Sequence, residues 1–185
     1  MSQTDPNLQL RATCLCLGPP GSGKTLLLKK LLSSNSVDET TTSVATVGMD
    51  LVTLRYQENQ KNKTIVIREI GGLMAPIWNR YYDGVNRVMF VIDTSNLCQI
   101  SAAGVLFYTI LAEPLLQKIK ILMVLSKMDV SYRQMRNEAL LMLQSKRLRK
   151  EAKQSITIVE ASAVDGEGTE MILEWLKNKE INTKL

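Results

Sequence analysis

The sequence has no histidine, and only two Phe and two Trp among its 185 residues. Without histidine the chain lacks His-based activation of a Ser or Cys nucleophile, most catalytic zinc sites and the usual proton shuttle at neutral pH. So few aromatic rings leave little surface for stacking bases, and nucleic acid is not an expected partner. Long apolar runs are missing as well. None reaches the roughly 18 residues that span a bilayer, and the longest, such as Ile119–Leu125, read as buried strands. The opening MSQTDP shows no charged-then-apolar secretion pattern and has Ser2 where myristoylation needs glycine. A soluble cytoplasmic protein without stable membrane insertion is the expectation.

Cysteine is scarce at three residues. Cys14 and Cys16, two apart on an expected strand, face the same way and do not easily bridge; with Cys98 they read as buried free thiols of a reducing compartment. What is present is an apolar share of 45%, enough for one buried core, and a modest net charge of +5. The densest basic run, Lys146-Arg147-Leu148-Arg149-Lys150, reads as a solvated helix face rather than a lipid or RNA contact.

The pattern divides into a short flexible N-terminus (1–11), one domain (12–180) and a tail (181–185). Within the domain, short apolar runs alternate with helical stretches, the signature of a mostly parallel sheet covered by helices. Expected strands are Ala12–Leu17, Met49–Tyr56, Thr64–Ile70, Arg87–Ile92, Ile119–Leu125 and Ile156–Glu160. The polar stretch Gln57–Lys63 makes the second and third an antiparallel hairpin. Helices are expected at Lys24–Leu32, Ser101–Leu111, Arg133–Ala152 and Thr169–Lys177, within an α/β fold of about six strands and about five helices. Ser33–Ala45, rich in Ser and Thr, is a loop.

Between the first strand and the first helix lies Gly18-Pro19-Pro20-Gly21-Ser22-Gly23-Lys24-Thr25, which fits G-x-x-x-x-G-K-[ST] at every required position. Its glycines let backbone N–H groups curl around a phosphate, and the helix N-terminus adds donors and partial positive charge. Lys24 is placed to reach the β- and γ-phosphates and the Thr25 hydroxyl to ligate Mg²⁺. The loop does not choose the base; the same wording suits nucleotide kinases and ring-forming ATPases. After the fifth strand comes Ser126-Lys127-Met128-Asp129, and after the last strand Ser162-Ala163.

These elements, in this order, resemble the Ras-like small GTPases and, among them, the ADP-ribosylation-factor-like family. Thr46-Val47-Gly48 resembles that family's Thr-Ile-Gly at the end of the first switch. Ile70-Gly71-Gly72, Pro76-Ile77-Trp78 and Tyr81-Tyr82 resemble its Val-Gly-Gly, Pro-Leu-Trp and Tyr-Phe. The last loop and helix, Gly166–Leu176, fit as well, so the likeness runs from Thr13 to Lys179.

The resemblance implies a P-loop, Ras-like fold binding GTP and GDP with Mg²⁺. It places the Asp129 carboxylate on the guanine N1–H and amine, the Lys127 stem over the base and the backbone of Ser162-Ala163 near guanine O6. Ser126 replaces the family Asn, which braces neighbouring loops, so weaker binding is expected rather than another base. Thr46 would touch Mg²⁺ and the γ-phosphate, and the Gly72 N–H the γ-phosphate. Effectors would dock on Thr46–Met49 and Leu73–Tyr82, served by an exchange factor and a GTPase-activating protein. A monomer, with transient membrane or ciliary association, is the family expectation.

Two departures fall on the chemistry. Glu69 stands where the family holds Mg²⁺ through a water with Asp, so its longer side chain puts the metal contact in doubt. Leu73 follows Gly72, where hydrolysing members carry Gln to orient water; Met74, the neighbour in this shortened segment, is no better. Catalysis is therefore assigned to no residue with certainty, and hydrolysis is expected to be slow or partner-dependent. Arg68, on a strand, is expected in a surface salt bridge rather than as an arginine finger. Two alternatives stay open: a pseudo-GTPase scaffold, and a P-loop nucleotide kinase with Arg133, Arg136, Arg147 and Arg149 as lid. A ring ATPase would need a strand ending in Asp-Glu, which is absent.

Overall fold

The computed structural model describes residues 13–178, the side chain of Arg149 excepted. The N-terminal segment 1–11, the tail 181–185, Ala12 and the domain end at 179–180 lie outside the described residues.

Six strands form one sheet: β1 (Cys14–Leu17), β2 (Met49–Glu58), β3 (Lys61–Ile70), β4 (Arg87–Asp93), β5 (Lys120–Ser126) and β6 (Ser155–Glu160), in spatial order β2-β3-β1-β4-β5-β6. Only β2–β3 is antiparallel; every other pair is parallel. Five α-helices cover it: α1 (Lys24–Leu32), α2 (Leu97–Ala112), α3 (Arg133–Met142), α4 (Ser145–Glu151) and α5 (Thr169–Leu176). A 3₁₀ helix spans Gly72–Tyr81 and a shorter one Pro114–Leu116. This is the mostly parallel α/β sheet the sequence pattern implies.

The central strands are apolar throughout because both of their faces are covered. Leu15, Leu17, Val88, Phe90 and Ile92 point to one face, under the 3₁₀ helix, α2 and α3; Cys14, Cys16, Met89 and Val91 point to the other, under α1 and α5. On the first face Phe90 packs edge-on to Trp78 at 6.3 Å and tilted to Phe107 at 5.1 Å between centroids. Among the described residues, no helix is long and apolar enough to cross a membrane.

Three local features depart from the pattern. The hairpin ladder runs on through polar residues to Glu58 and Lys61, so the turn shrinks to Asn59-Gln60. Both of these have positive φ, 48° and 61°, as a two-residue turn matching strand twist requires. Polarity marked this stretch as a turn, but it is the exposed continuation of an edge pair. Next, α2 starts four residues early because the Asn96 side chain accepts from the Cys98 and Gln99 N–H groups, a cap worth about 1 kcal/mol. Finally, the single helix expected over 133–152 breaks at Gln144, where φ is 49°. Leu143 and Leu148 are both buried in the same core. On one continuous helix, five residues apart, they would point about 140° away from each other; the break lets both reach it.

The two strand cysteines are fully buried, but Cys98, expected to be buried with them, is exposed because it sits in the first turn of α2 on a face turned from the core. Burial pushes the Cys14 thiol up to about 12 and that of Cys16 upward too, so neither supplies thiolate near neutrality. Iodoacetamide at about pH 8.5, where an ordinary thiol is half ionised, is expected to label Cys98 alone in the folded protein and all three thiols after unfolding. Intact mass reads the count; rapid labelling of Cys14 or Cys16 in the folded chain would contradict this packing.

Candidate functional site

The loops that carry the motif residues leave the carboxyl ends of β1, β4, β5 and β6 on one rim of the sheet, the usual ligand edge of such folds. The phosphate loop hugs this rim so closely that a Cβ on Gly18 would lie 2.2 Å from the Val91 carbonyl oxygen; its φ of 148° also excludes most side chains. Lys24 folds back under the loop. Its buried Nζ donates to the carbonyls of Gly18 and Pro19, both at 2.9 Å, and to Ser22 Oγ at 3.5 Å. Burial holds this ammonium below the usual lysine value, an effect partly offset by Cys16 and the Glu69 carboxylate.

Thr25, Thr46 and Glu69, far apart in sequence, meet at the mouth of this loop. Glu69 Oε1 accepts from Thr25 Oγ1 at 2.6 Å and from Thr46 Oγ1 at 3.2 Å, and the two hydroxyl oxygens are 3.0 Å apart. The longer glutamate therefore does reach the Thr25 hydroxyl. Two hydroxyls and one carboxylate form a hard, oxygen-only donor set, suited to a Mg²⁺ that shares its remaining positions with phosphate and water. Among the described residues no group of three or more His, Cys, Asp or Glu could hold a metal instead.

The second loop lies directly against the first. A Cβ on Gly72 would fall 2.3 Å from the Pro20 nitrogen and 2.5 Å from the Pro19 carbonyl carbon, so only glycine permits this approach. The Trp78 indole donates to the Gly71 carbonyl at 3.3 Å and anchors the segment from below. Leu73 is 73% exposed, and Val44, Val47 and Met49 are exposed as well. A cleft of ≈ 390 Å³ runs between the loops, lined by Gly21, Lys24, Thr25, Thr46, Glu69 and Lys127 among others. A larger hollow of ≈ 710 Å³ on α2 and Met142 is lined by no charged side chain.

On the far side, Ser126 is buried and ties the phosphate loop to β4: its hydroxyl lies 2.7 Å from the Ser22 carbonyl oxygen and 2.9 Å from that of Ile92, sharing one proton between them. This serine thus carries a brace of its own. Lys127, with φ of 61°, reaches Asp93 Oδ2 at 2.7 Å. Asp129 is exposed, and its Oδ1 accepts from Ser162 Oγ at 2.8 Å; Ser162 Oγ also accepts from the Asp165 N–H. Ala163 follows, half-buried, and the carbonyl of Val164 accepts from Lys30 Nζ at 2.9 Å.

Every residue singled out in the sequence for nucleotide or metal binding therefore lies on this rim, and two more join them. Asp93, the partner of Lys127, is the carboxylate that ends β4, one residue beyond the strand expected from the sequence. Lys30, which also donates to the Val37 carbonyl, gave no signal, because nothing local announces a contact 134 residues away.

Arg68 is a correction. It forms no ion pair among the described residues; its guanidinium sits 5.9 Å from the Tyr81 ring centroid and its Nε is buried without a hydrogen-bond partner. Strand alternation turns the neighbouring carboxylates Asp50 and Glu69 to the opposite face, which leaves Arg68 no acid to pair with.

A six-stranded mixed sheet with one antiparallel edge pair, a phosphate loop after β1 and two glycine-hinged loops over its mouth is the small GTPase fold. The model of the ADP-ribosylation factor family matches residues 3–180, and the chain belongs to that family. It is 35% identical over 170 residues to ADP-ribosylation factor-like protein 16 of Homo sapiens, covering 89% of this chain and 84% of that protein. ADP-ribosylation factor-like protein 1 of Saccharomyces cerevisiae is 31% identical over 172 residues, 92% of this chain and 87% of that one. Among solved structures, the Arl6 BBS3 small GTPase from Trypanosoma brucei, with the nucleotide analogue GppNp bound, superposes with a TM-score of 0.70 at 20% identity, over 90% of this chain and 95% of that one.

Proposed function

We propose that this chain is a GTP-binding switch of the ADP-ribosylation-factor-like kind, which holds GTP and Mg²⁺ at the rim and engages protein partners in that state. The convergence of Thr25, Thr46 and Glu69 beside Lys24 is the observation that carries the reading, because it couples the phosphate loop to both switch-like loops through three side chains. Mg²⁺, when bound, would neutralise phosphate charge between Thr25 and Thr46, with Glu69 as the nearby carboxylate. Lys24 and the loop N–H groups would hold the β- and γ-phosphates, and the Gly72 N–H would bond the γ-phosphate. Asp129, oriented by Ser162, would read guanine; the Lys127 stem would pack over the base and the backbone N–H of Ser162-Ala163 would meet guanine O6. Loss of the γ-phosphate would then free both loops at once.

Hydrolysis is assigned a minor place. Leu73 has no donor or acceptor to orient water, and it points into solvent. Leu73→Gln is accordingly expected to raise single-turnover GTP cleavage by about tenfold or more, because a Gln at this place orients the attacking water. No increase would locate the deficit at Glu69 or in the shortened segment between Gly72 and Pro76 instead.

The kinase alternative loses support because two of its lid arginines are engaged elsewhere: Arg136 with Glu160 at 2.5 Å and Arg147 with Glu151 at 2.7 Å. Titration calorimetry with GDP, a GTP analogue and an ATP analogue in Mg²⁺ tests the switch. Guanine selectivity with unequal GDP and GTP affinities supports it; equal affinities would support the pseudo-GTPase scaffold, since a ligand without differential affinity shifts no equilibrium. An exchange factor, a GTPase-activating protein, cytoplasmic residence and transient membrane or ciliary association follow from the same family reading.

A further inference from the structure

The β2–β3 hairpin forms the sheet edge: one face lies beneath α1 and α5, and on the other Val66 and Ile70 of β3 are buried while, among the described residues, that face of β2 is exposed or half-buried. Val52, Leu54, Ile65 and Ile67 are buried beneath α1 and α5, whereas Met49, Leu51, Thr53 and Arg55 alternate onto the other face with Arg68. On that face Met49 is 49% exposed. The 3₁₀ helix rims it, with half-buried Ile77 and Tyr81. Arg68 lies in the corner between hairpin and helix, opposite Leu51 in register and over the Tyr81 ring. Its buried Nε has no partner, and by register no carboxylate of β2 shares its face.

A buried donor on a cation is costly when unpaired, and a guanidinium is the side chain best shaped for a two-point bond to a carboxylate. The Tyr81 ring lies against the group, and Leu51 and Met49 supply apolar surface on the same face. We propose that this corner docks a segment of a partner protein presenting an Asp or Glu carboxylate next to an apolar side chain, the carboxylate pairing with Arg68 and the apolar group covering Leu51 and Met49. The inference rests on the reading that protein partners dock on the loops and hairpin, and it gives the chemistry such a partner must carry.

The test is selection of random dodecapeptides on the full chain, loaded in parallel with GDP and with a GTP analogue. Selected peptides are expected to share one carboxylate flanked by aliphatic or aromatic residues. Changing that carboxylate to its amide should weaken binding about tenfold or more, as should Arg68→Met, and the two changes together should cost no more than either alone. Arg68→Met should leave the melting temperature unchanged or raised, because it removes an unpaired buried donor. Peptides without an acid, or an amide counterpart that binds equally well, would overturn the proposal; the amide comparison uses the unaltered chain, so a misfolded variant cannot shield it. Self-association lost in Arg68→Met would assign the face to a second copy and overturn it as well. Acid-bearing peptides bound equally in both nucleotide states would uphold this docking site while defeating the switch. State-dependent peptides lacking an acid would do the reverse.

Discussion

Lys24→Ala is expected to weaken GTP-analogue binding by roughly 10²- to 10⁴-fold, since it deletes two contacts to charged phosphate oxygens worth roughly 1.5–3 kcal/mol each. The side chain is preformed to receive phosphate, being buried, held by the Gly18 and Pro19 carbonyls, and aimed beneath the loop rather than into solvent. Incoming phosphate would exchange these neutral acceptors for anionic ones, a stronger bond for a cation that burial disfavours. Calorimetry on the variant measures the loss, with circular dichroism to establish that it is folded. Retained affinity would show that the nucleotide sits elsewhere and would remove the basis of the proposed function.

The second large effect concerns choice of base. Asp129→Ala is expected to lower GTP affinity about 10²-fold or more while leaving ATP binding unchanged, so that discrimination collapses; sites built around a hydrogen-bonded group reject analogues by about 10⁴–10⁵. One carboxylate oxygen is engaged by Ser162, and the acceptor capacity that remains can meet two guanine donors. Ser162→Ala removes only the orienting bond and should cost several-fold, about 1 kcal/mol. If Asp129→Ala weakened ATP and GTP equally, the residue would be structural and the guanine assignment would fail.

Much of this was legible in the chain. The phosphate loop follows from spacing alone, and the strands from apolar runs, because β1, β4 and β5 are buried on both faces. Asn96 was a legible cap that the apolar periodicity of α2 obscured. The break at Gln144 was not legible: Arg133–Ala152 has no glycine or proline to announce it, and the cause is the distant core that both Leu143 and Leu148 must enter. The hairpin tip misled in the opposite way, since polar residues can ladder as well as turn.

At the site the division is physical. Sequence by itself determined the local chemistry: a glycine-rich loop between strand and helix, a threonine after its lysine, and the types of side chain available at each strand end. Tertiary structure decided which of them meet. Parallel pairing brings the ends of β1, β3, β4, β5 and β6 to one rim, so that Lys127 finds Asp93, Ser126 braces Ser22, and Glu69 joins Thr25 across 44 positions. The same register turns Asp50 and Glu69 away from Arg68 and leaves its guanidinium unpaired. Periodicity and motif spacing act over a few residues, whereas strand register acts across the whole chain, and contacts between distant residues are set only there.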